Sequence, residues 1–319
     1  MKPCQPLDTF ETGSKPTLSF KSFLFSNFLL TLRTIMLATV NSAFSASQHN
    51  IQRAGLGYRG ILSEDDLRKC VPSAFAEEAH HTRSARYAYV PTSDIITGLQ
   101  SAGFVPVKAV QSRCRTEDKR DFTKHLIRFR REDQLGATEA REVILKNSHD
   151  GSSAYEMSAG IYRLVCSNGL CVGNDDMTFK VRHSGQAVGE VIDVASRIVD
   201  NFDLVTADIE LMKSVKLNQP LQLALANAAI AARFDVEEKP VSAEQILRPR
   251  RQADVGNDAW TVFNRVQENT LKGGLFGVTT NAVGRRVHRR TREVTGIDQN
   301  TVLNRALWVL GVEVAKLAA

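Results

Sequence analysis

Long apolar runs are scarce in this chain of 319 residues: beyond its first fifty positions no stretch approaches the ~18 apolar residues that a membrane span requires. A membrane partner is therefore not expected. Cysteine is scarce too. Five of them, an odd number running from Cys4 to Cys171, do not make a disulfide framework, so a reducing compartment, the cytoplasm, is expected. A phosphate cradle is also lacking, because "KGGLFG" (Lys272 to Gly277) has neither the spacing nor the Lys-Ser/Thr pair of a P-loop and no strand pattern precedes it. No cofactor is expected. What remains is ordinary globular material, 43% apolar and 24% charged, enough for one large domain or two smaller ones. The net charge of +6 is small, but the basic residues are clustered, which matters more than the total when the partner is a polyanion.

The N-terminus imitates a signal peptide. "KSFLFSNFLLTL" (Lys21 to Leu32) is followed by the small-residue run "SAFSAS" (Ser42 to Ser47), yet Arg33 interrupts the pattern. Residues 1–54 are expected to be an extension outside the fold, with Met36 as the start of the protein proper.

Regular patterning follows. "RYAYV" (Arg86 to Val90) reads as a short aromatic strand, and a helix then begins near Thr92 or Ser93, either of which suits a cap, and ends at Gly103. Residues 104–113 are extended. "FTKHLIRFRRE" alternates, with His125, Ile127 and Phe129 on one face and Lys124, Arg128 and Arg130 on the other. "EVILKNSH" and "SAYEMSAGIYRLVC" read as two further strands, and "DDMTFKVRH" sets Phe179 and Val181 against Lys180 and Arg182. From Gln186 the period becomes helical, with Val188, Ile192, Ala195 and Val199 at three- and four-residue spacing and Pro220 at a tolerated helix start. The expected fold class is α+β: an antiparallel-sheet domain with a packed helix over 55–185, then a mostly helical region over 186–319. Two prolines and mixed charge mark about 237–258 as a mobile segment. Helices are expected around Trp260 to Leu271 and from about Thr301 to Lys316.

The densest chemistry lies in "NSHDGSSAYEMSAGIYRLVCSNGLCVG" (Asn147 to Gly173). Asp150-Gly151 and Asn168-Gly169 both suit tight hairpins, and a two-residue loop at Asn168-Gly169 would set Cys166 opposite Cys171. Cys166, Cys171, His149 and His183 could nominally bind zinc, but a C-x4-C spacing across a hairpin is not a metal knuckle. A thiol within an apolar strand is inert, and His149 and Asp150, being adjacent on a strand, point to opposite faces. The stretch therefore reads as turns and core. No catalytic and no metal-binding residue is assigned.

Basic residues carry the functional expectation. Lys124, Arg128 and Arg130 must point away from Ile127 and Phe129, so they are expected to form an outward cationic stripe, joined by Lys180 and Arg182 if the strands share a face. "GRRVHRRTREV" (Gly284 to Val294) is the densest basic run, with Arg285, Arg286, Arg289 and Arg290 as a second surface on a helix or loop. Tyr87, Tyr89 and Tyr162 could stack on bases or fill the sheet. A solvated face and a phosphate-contacting face both remain open for the arginines.

Together "RYAYVPTSDIITGLQSAGF", "TKHLIRFRR", the Asn147–Gly173 stretch and "NRALWVLG" resemble the YfjQ/YafZ-like family of plasmid- and prophage-borne proteins, across roughly Gly55 to Lys316. That resemblance implies a mobile-element context and supplies no catalytic residues. A helix followed by a meander with basic faces is also similar, by element order alone, to phage single-strand annealing proteins of the Redβ/Erf class. The expected function is non-enzymatic DNA binding, with single-stranded DNA favoured, in annealing or recombination, and with self-association. The alternatives are an anti-defence protein acting on a host protein and a zinc- or cysteine-dependent enzyme.

Overall fold

The structure, a computed structural model, describes residues 51–52, 60–83, 89–114, 116–164, 168–173, 177–182, 186–234, 240–280 and 283–319. The expected strand residues 86–88, Tyr87 among them, together with Cys166, His183 and Met36, lie outside the described residues. Ile51 and Gln52, expected to belong to a detached extension, form a short strand β1 that pairs with Ser112 and Gln111.

The protein is α+β. Strands β2 (Phe104–Ser112), β3 (His125–Arg131), β4 (Glu139–Asn147) and β5 (Tyr155–Arg163) form an antiparallel meander. Two short strands share the far edge of β5: β6 (Asn168–Cys171) pairs with its C-terminal half and β7 (Thr178–Val181) with its N-terminal half. Period-two alternation fixes the faces. Ile127 and Phe129 lie with Val143, Leu145, Tyr155 and Met157 in the main core, beneath helices α2 (Thr92–Ser101) and α3 (Ala187–Asp200), which present Ile95, Leu99, Val191 and Ile198. The short α1 (Glu64–Cys70) is closed by a Ser63–Asp66 capping box and adds Leu67 to the same core.

The helical half packs onto the sheet rather than hanging from it. Its helices are α4 (Phe202–Ser214), α5 (Gln219–Arg233), α6 (Ala243–Leu247), α7 (Ala259–Lys272) and α8 (Ile297–Ala318). Asn201 separates α3 from α4, and Pro220 sits in the first turn of α5, where its missing N–H costs nothing. Twelve of the 14 residues of α7 are buried, which makes it the central helix of this half. Several of its buried polar side chains are paired inside the fold. Gln267 donates to Asn304 Oδ1 at 2.6 Å, Asn269 donates to the carbonyls of Ile246 and Arg248, and Glu268 accepts from Arg251 and Lys272.

Three sequence expectations are corrected. The segment expected to be mobile is folded from residue 240 onward: α6 has a Ser242–Gln245 capping box, and Asp254, 1% exposed, accepts from both Arg163 and Arg251. Buried charge is tolerated only when it is paired this way, so Asp254 ties the segment to β5. Asn168-Gly169 is not the β5–β6 loop. Asn168 pairs with Arg163 and Cys171 with Gly160, so both residues of the expected loop belong to β6 and Cys171 faces a glycine. Thr92 does not cap α2, whose N-cap is Pro91; its hydroxyl is taken by His125 and His149. No helix among the described residues is long and apolar enough to cross a membrane.

Candidate nucleic-acid interface

The expected outward stripe on β3 is built differently. Register carries one face across the sheet from Arg128 and Arg130 to Glu142, and from Lys146 through Glu156 to Lys180. The shared face is therefore correct, but its middle is closed. Arg128 and Arg130 are only 5% and 3% exposed, and both grip Glu142, itself 1% exposed. Arg128 Nε donates to Oε2 at 2.5 Å and Arg130 Nη2 to Oε1 at 2.7 Å. The Arg128 fork also donates to the Leu170 carbonyl at 2.7 Å, and the Arg130 guanidinium lies 4.5 Å from the Tyr162 ring centroid. Gly160 makes room for this: a Cβ there would stand 2.6 Å from Arg128 Nη2. Two arginines on one carboxylate form a buried structural ion cluster, so neither reaches a ligand's phosphates. Tyr162 is buried beneath it and offers no stacking face.

Lys124 is drawn inward as well. Its ammonium donates to Asp298 Oδ2 at 2.6 Å, and Lys146 donates to the other oxygen at 3.2 Å. Burial pushes the Asp298 carboxyl up, but Lys146 and Lys124 more than offset this and hold it below the usual carboxylate range. Asp298 opens α8, so the pair fastens that helix to the sheet. At the sheet's edge Lys180 and Arg182 are exposed.

The other basic run forms an element that the sequence reading did not anticipate. Instead of a helix or loop, residues 286–290 are strand β9, paired antiparallel with β8 (Phe276–Thr280) in a separate two-stranded ribbon. Arg290 lies opposite Phe276, His288 opposite Val278 and Arg286 opposite Thr280, so Arg286, His288 and Arg290 share one face and Arg289 lies on the other. Arg285, Arg286, His288, Arg289 and Arg290 are all exposed. Among the described residues no carboxylate pairs with Arg286, Arg289 or Arg290, whereas most other strand cations are paired. The Arg290 guanidinium lies 5.3 Å from the ring centroid of Phe276, which is 70% exposed, and its Nε donates to the Gly274 carbonyl at 2.9 Å. The ribbon's base is held where Gly277 passes the Pro240 carbonyl too closely for any Cβ. Gln245 Nε2 also donates to the Phe276 carbonyl there, at 2.7 Å.

Most described residues of the Asn147–Gly173 stretch are buried, as the core part of its reading expects. His149 and His125 are fully buried. The Thr92 hydroxyl lies 3.0 Å from His149 Nε2 and 3.1 Å from His125 Nε2, and accepts from Asn147 Nδ2 at 3.1 Å. His125 Nδ1 reaches the Ser73 hydroxyl at 2.9 Å. Burial holds the His125 imidazole neutral, with its pKa down at about 4. Gly151 takes the positive φ expected of it, +76°, within a connection longer than a two-residue turn. Burial also pushes the Cys171 thiol up, out of the range of a reactive nucleophile. Among the described residues one group could hold a metal ion, His80, His81 and Asp118, and the sequence reading missed it. The His-His pair was visible, but its carboxylate lies 37 positions away.

Residues 79–308 match the family model described as a domain of unknown function, DUF932. The chain is 46% identical over 249 residues to the UPF0380 protein YafZ of Escherichia coli (strain K12), covering 78% of this chain and 90% of that protein. It is 45% identical to the UPF0380 protein YfjQ of the same organism, with the same coverage. No solved structure matches it. The chain belongs to the DUF932 family.

Proposed function

We propose that the chain is a non-enzymatic DNA-binding protein acting in the cytoplasm for mobile genetic elements, and that the β8–β9 ribbon is its contact element. The observation that carries this reading is the contrast between two sets of arginines. On the sheet, Arg128 and Arg130 are buried and paired with Glu142, whereas on the ribbon Arg286, Arg289 and Arg290 stand exposed with no carboxylate partner among the described residues. A fold that pairs most of its strand cations but leaves this run exposed keeps charge available for a polyanion, and the planar fork of arginine suits phosphate.

Shape supports the same reading. A two-stranded ribbon fits the major groove of a duplex, and alternation puts Arg286, His288 and Arg290 on one face of it. Single-strand binding would rest on a row of stacking aromatics, whereas the described residues of the ribbon expose Phe276 alone. Duplex DNA is therefore favoured over the single strand suggested by element order. Lys180 and Arg182 provide a secondary exposed contact, and Lys124, Arg128 and Arg130 leave the interface. The mobile-element setting rests on the family resemblance alone. Titrating labelled duplex and single-stranded DNA of one sequence with purified protein at two salt concentrations tests the reading. Salt-dependent binding stronger for duplex is expected; no binding at low salt would reject it in favour of a protein partner.

A further inference from the structure

We propose that His80, His81 and Asp118 form a divalent transition-metal site, with zinc as the best-fitting ion, that clamps the segment around residue 80 to the 3-10 turn Glu117–Phe122. The three ligand atoms lie within 4.8 Å of one another, and His80 Nε2 stands 3.5 Å from Asp118 Oδ2. Ligands at zinc's usual bond lengths and tetrahedral angles stand about 3.3 Å apart, so this pair needs almost no movement to share an ion.

The second observation is the state of His80. Its side chain is 1% exposed, and its Nε2 is buried with no hydrogen-bond partner, aimed at the Asp118 carboxylate beyond hydrogen-bonding geometry. An imidazole nitrogen desolvated without a partner is costly, and a metal ion would relieve that cost. The far side of the ring is prepared for such a role. Nδ1 lies 2.8 Å from the Thr82 hydroxyl, which can accept a hydrogen bond from Nδ1–H and so leave the Nε2 lone pair for the ion. The longer 3.4 Å approach of the Thr82 N–H to the same nitrogen belongs to the opposite tautomer, so metal binding would select between the two.

The surroundings hold the ring where it is. The His80 backbone N–H donates to the His149 carbonyl at 3.2 Å, and Phe122, from the same turn as Asp118, meets the ring edge-on at 5.2 Å. His81 and Asp118 are exposed, so an ion has an open path and a fourth position for water. Two imidazoles and one carboxylate suit zinc or a neighbouring first-row ion better than magnesium or calcium, which take oxygen ligands.

The test uses untagged full-length protein stripped with a chelator and titrated with cobalt(II) as a spectroscopic stand-in, then with zinc by calorimetry. One ion per chain is expected, with the visible absorption of low-coordinate cobalt. Asp118→Asn and His81→Gln alter exposed side chains, so their fold should survive, and each should weaken binding by at least about tenfold. His288→Gln, on the ribbon, should leave it unchanged. Absence of stoichiometric binding by the parent protein would overturn the proposal, as would affinities unaltered in both Asp118→Asn and His81→Gln.

Discussion

Replacing Glu142 by Gln tests the claim that the basic face of β3 is structural. Glutamine keeps the size of the side chain and one acceptor oxygen, but it removes the carboxylate charge shared by two guanidinium groups that are 5% and 3% exposed. Breaking a buried ion cluster on one side leaves uncompensated charge in a low-dielectric site, at a cost of about 3 to 5 kcal/mol. Arg130 retains its contact with the Tyr162 ring and Arg128 its bond to the Leu170 carbonyl, which places the expected loss toward the lower end of that range. Urea unfolding followed by far-UV circular dichroism should show the midpoint falling with the slope unchanged. A companion variant, with Arg128, Arg130 and Glu142 all replaced by apolar residues of similar volume, should recover most of the loss, because it removes the charges together. A loss below about 1 kcal/mol for Glu142→Gln would match an exposed pair instead and would refute the burial argument.

Two further outcomes follow from neighbouring groups. The unfolded chain takes up a proton at His125 below about pH 6.5, whereas the folded protein does so only below about 4. The stability that the neutral imidazole contributes is therefore complete above pH 6.5 and is lost as the pH falls toward 4. At pH 5 the loss should be about 2 kcal/mol, and His125→Gln should flatten that part of the profile; a profile unchanged by this substitution would assign the acid sensitivity elsewhere. Gly160→Ala would put a Cβ 2.6 Å from Arg128 Nη2 and 2.9 Å from Ile144 Cδ1. It should cost about 1 to 3 kcal/mol in thermal or urea unfolding, and a neutral result would show that the guanidinium has room to shift.

Local pattern made the elements legible, and long-range pairing decided what they do. The alternation of His125 to Arg131 identified β3 and its two faces, and the register confirmed that Lys180 shares the face of Arg128. Alternation says which residues share a face and nothing about what covers it. The partners that close this face, Glu142 and Asp298, lie 14 and 174 positions from the bases they bind. A basic face bounded by solvent and one paired inside the fold give the same pattern in a single strand. The ribbon was missed for a related reason. "RRVHRR" alternates too weakly in hydropathy to mark a strand, and its partner "FGVTT" is identified by the register of the ribbon rather than by its own pattern. Asn168-Gly169 has the composition of a favoured turn, but the pairing of Cys171 with Gly160 puts both residues in β6. Thr92 was misread as a cap because two buried histidines, 33 and 57 residues away, compete for the same hydroxyl.

The most direct test of the central claim is the salt dependence of DNA binding by the parent protein and by a variant with Arg286, Arg289 and Arg290 replaced by Ala, which alters exposed residues and should leave folding intact. Each phosphate contact on duplex DNA contributes about 0.9 to the slope of log affinity against log salt. Loss of all three should therefore flatten the slope by up to about 2.7 and weaken binding to all sequences alike. Parent and variant sharing one affinity and one slope, with the fold retained, would contradict the assignment of the ribbon as the DNA-contacting element.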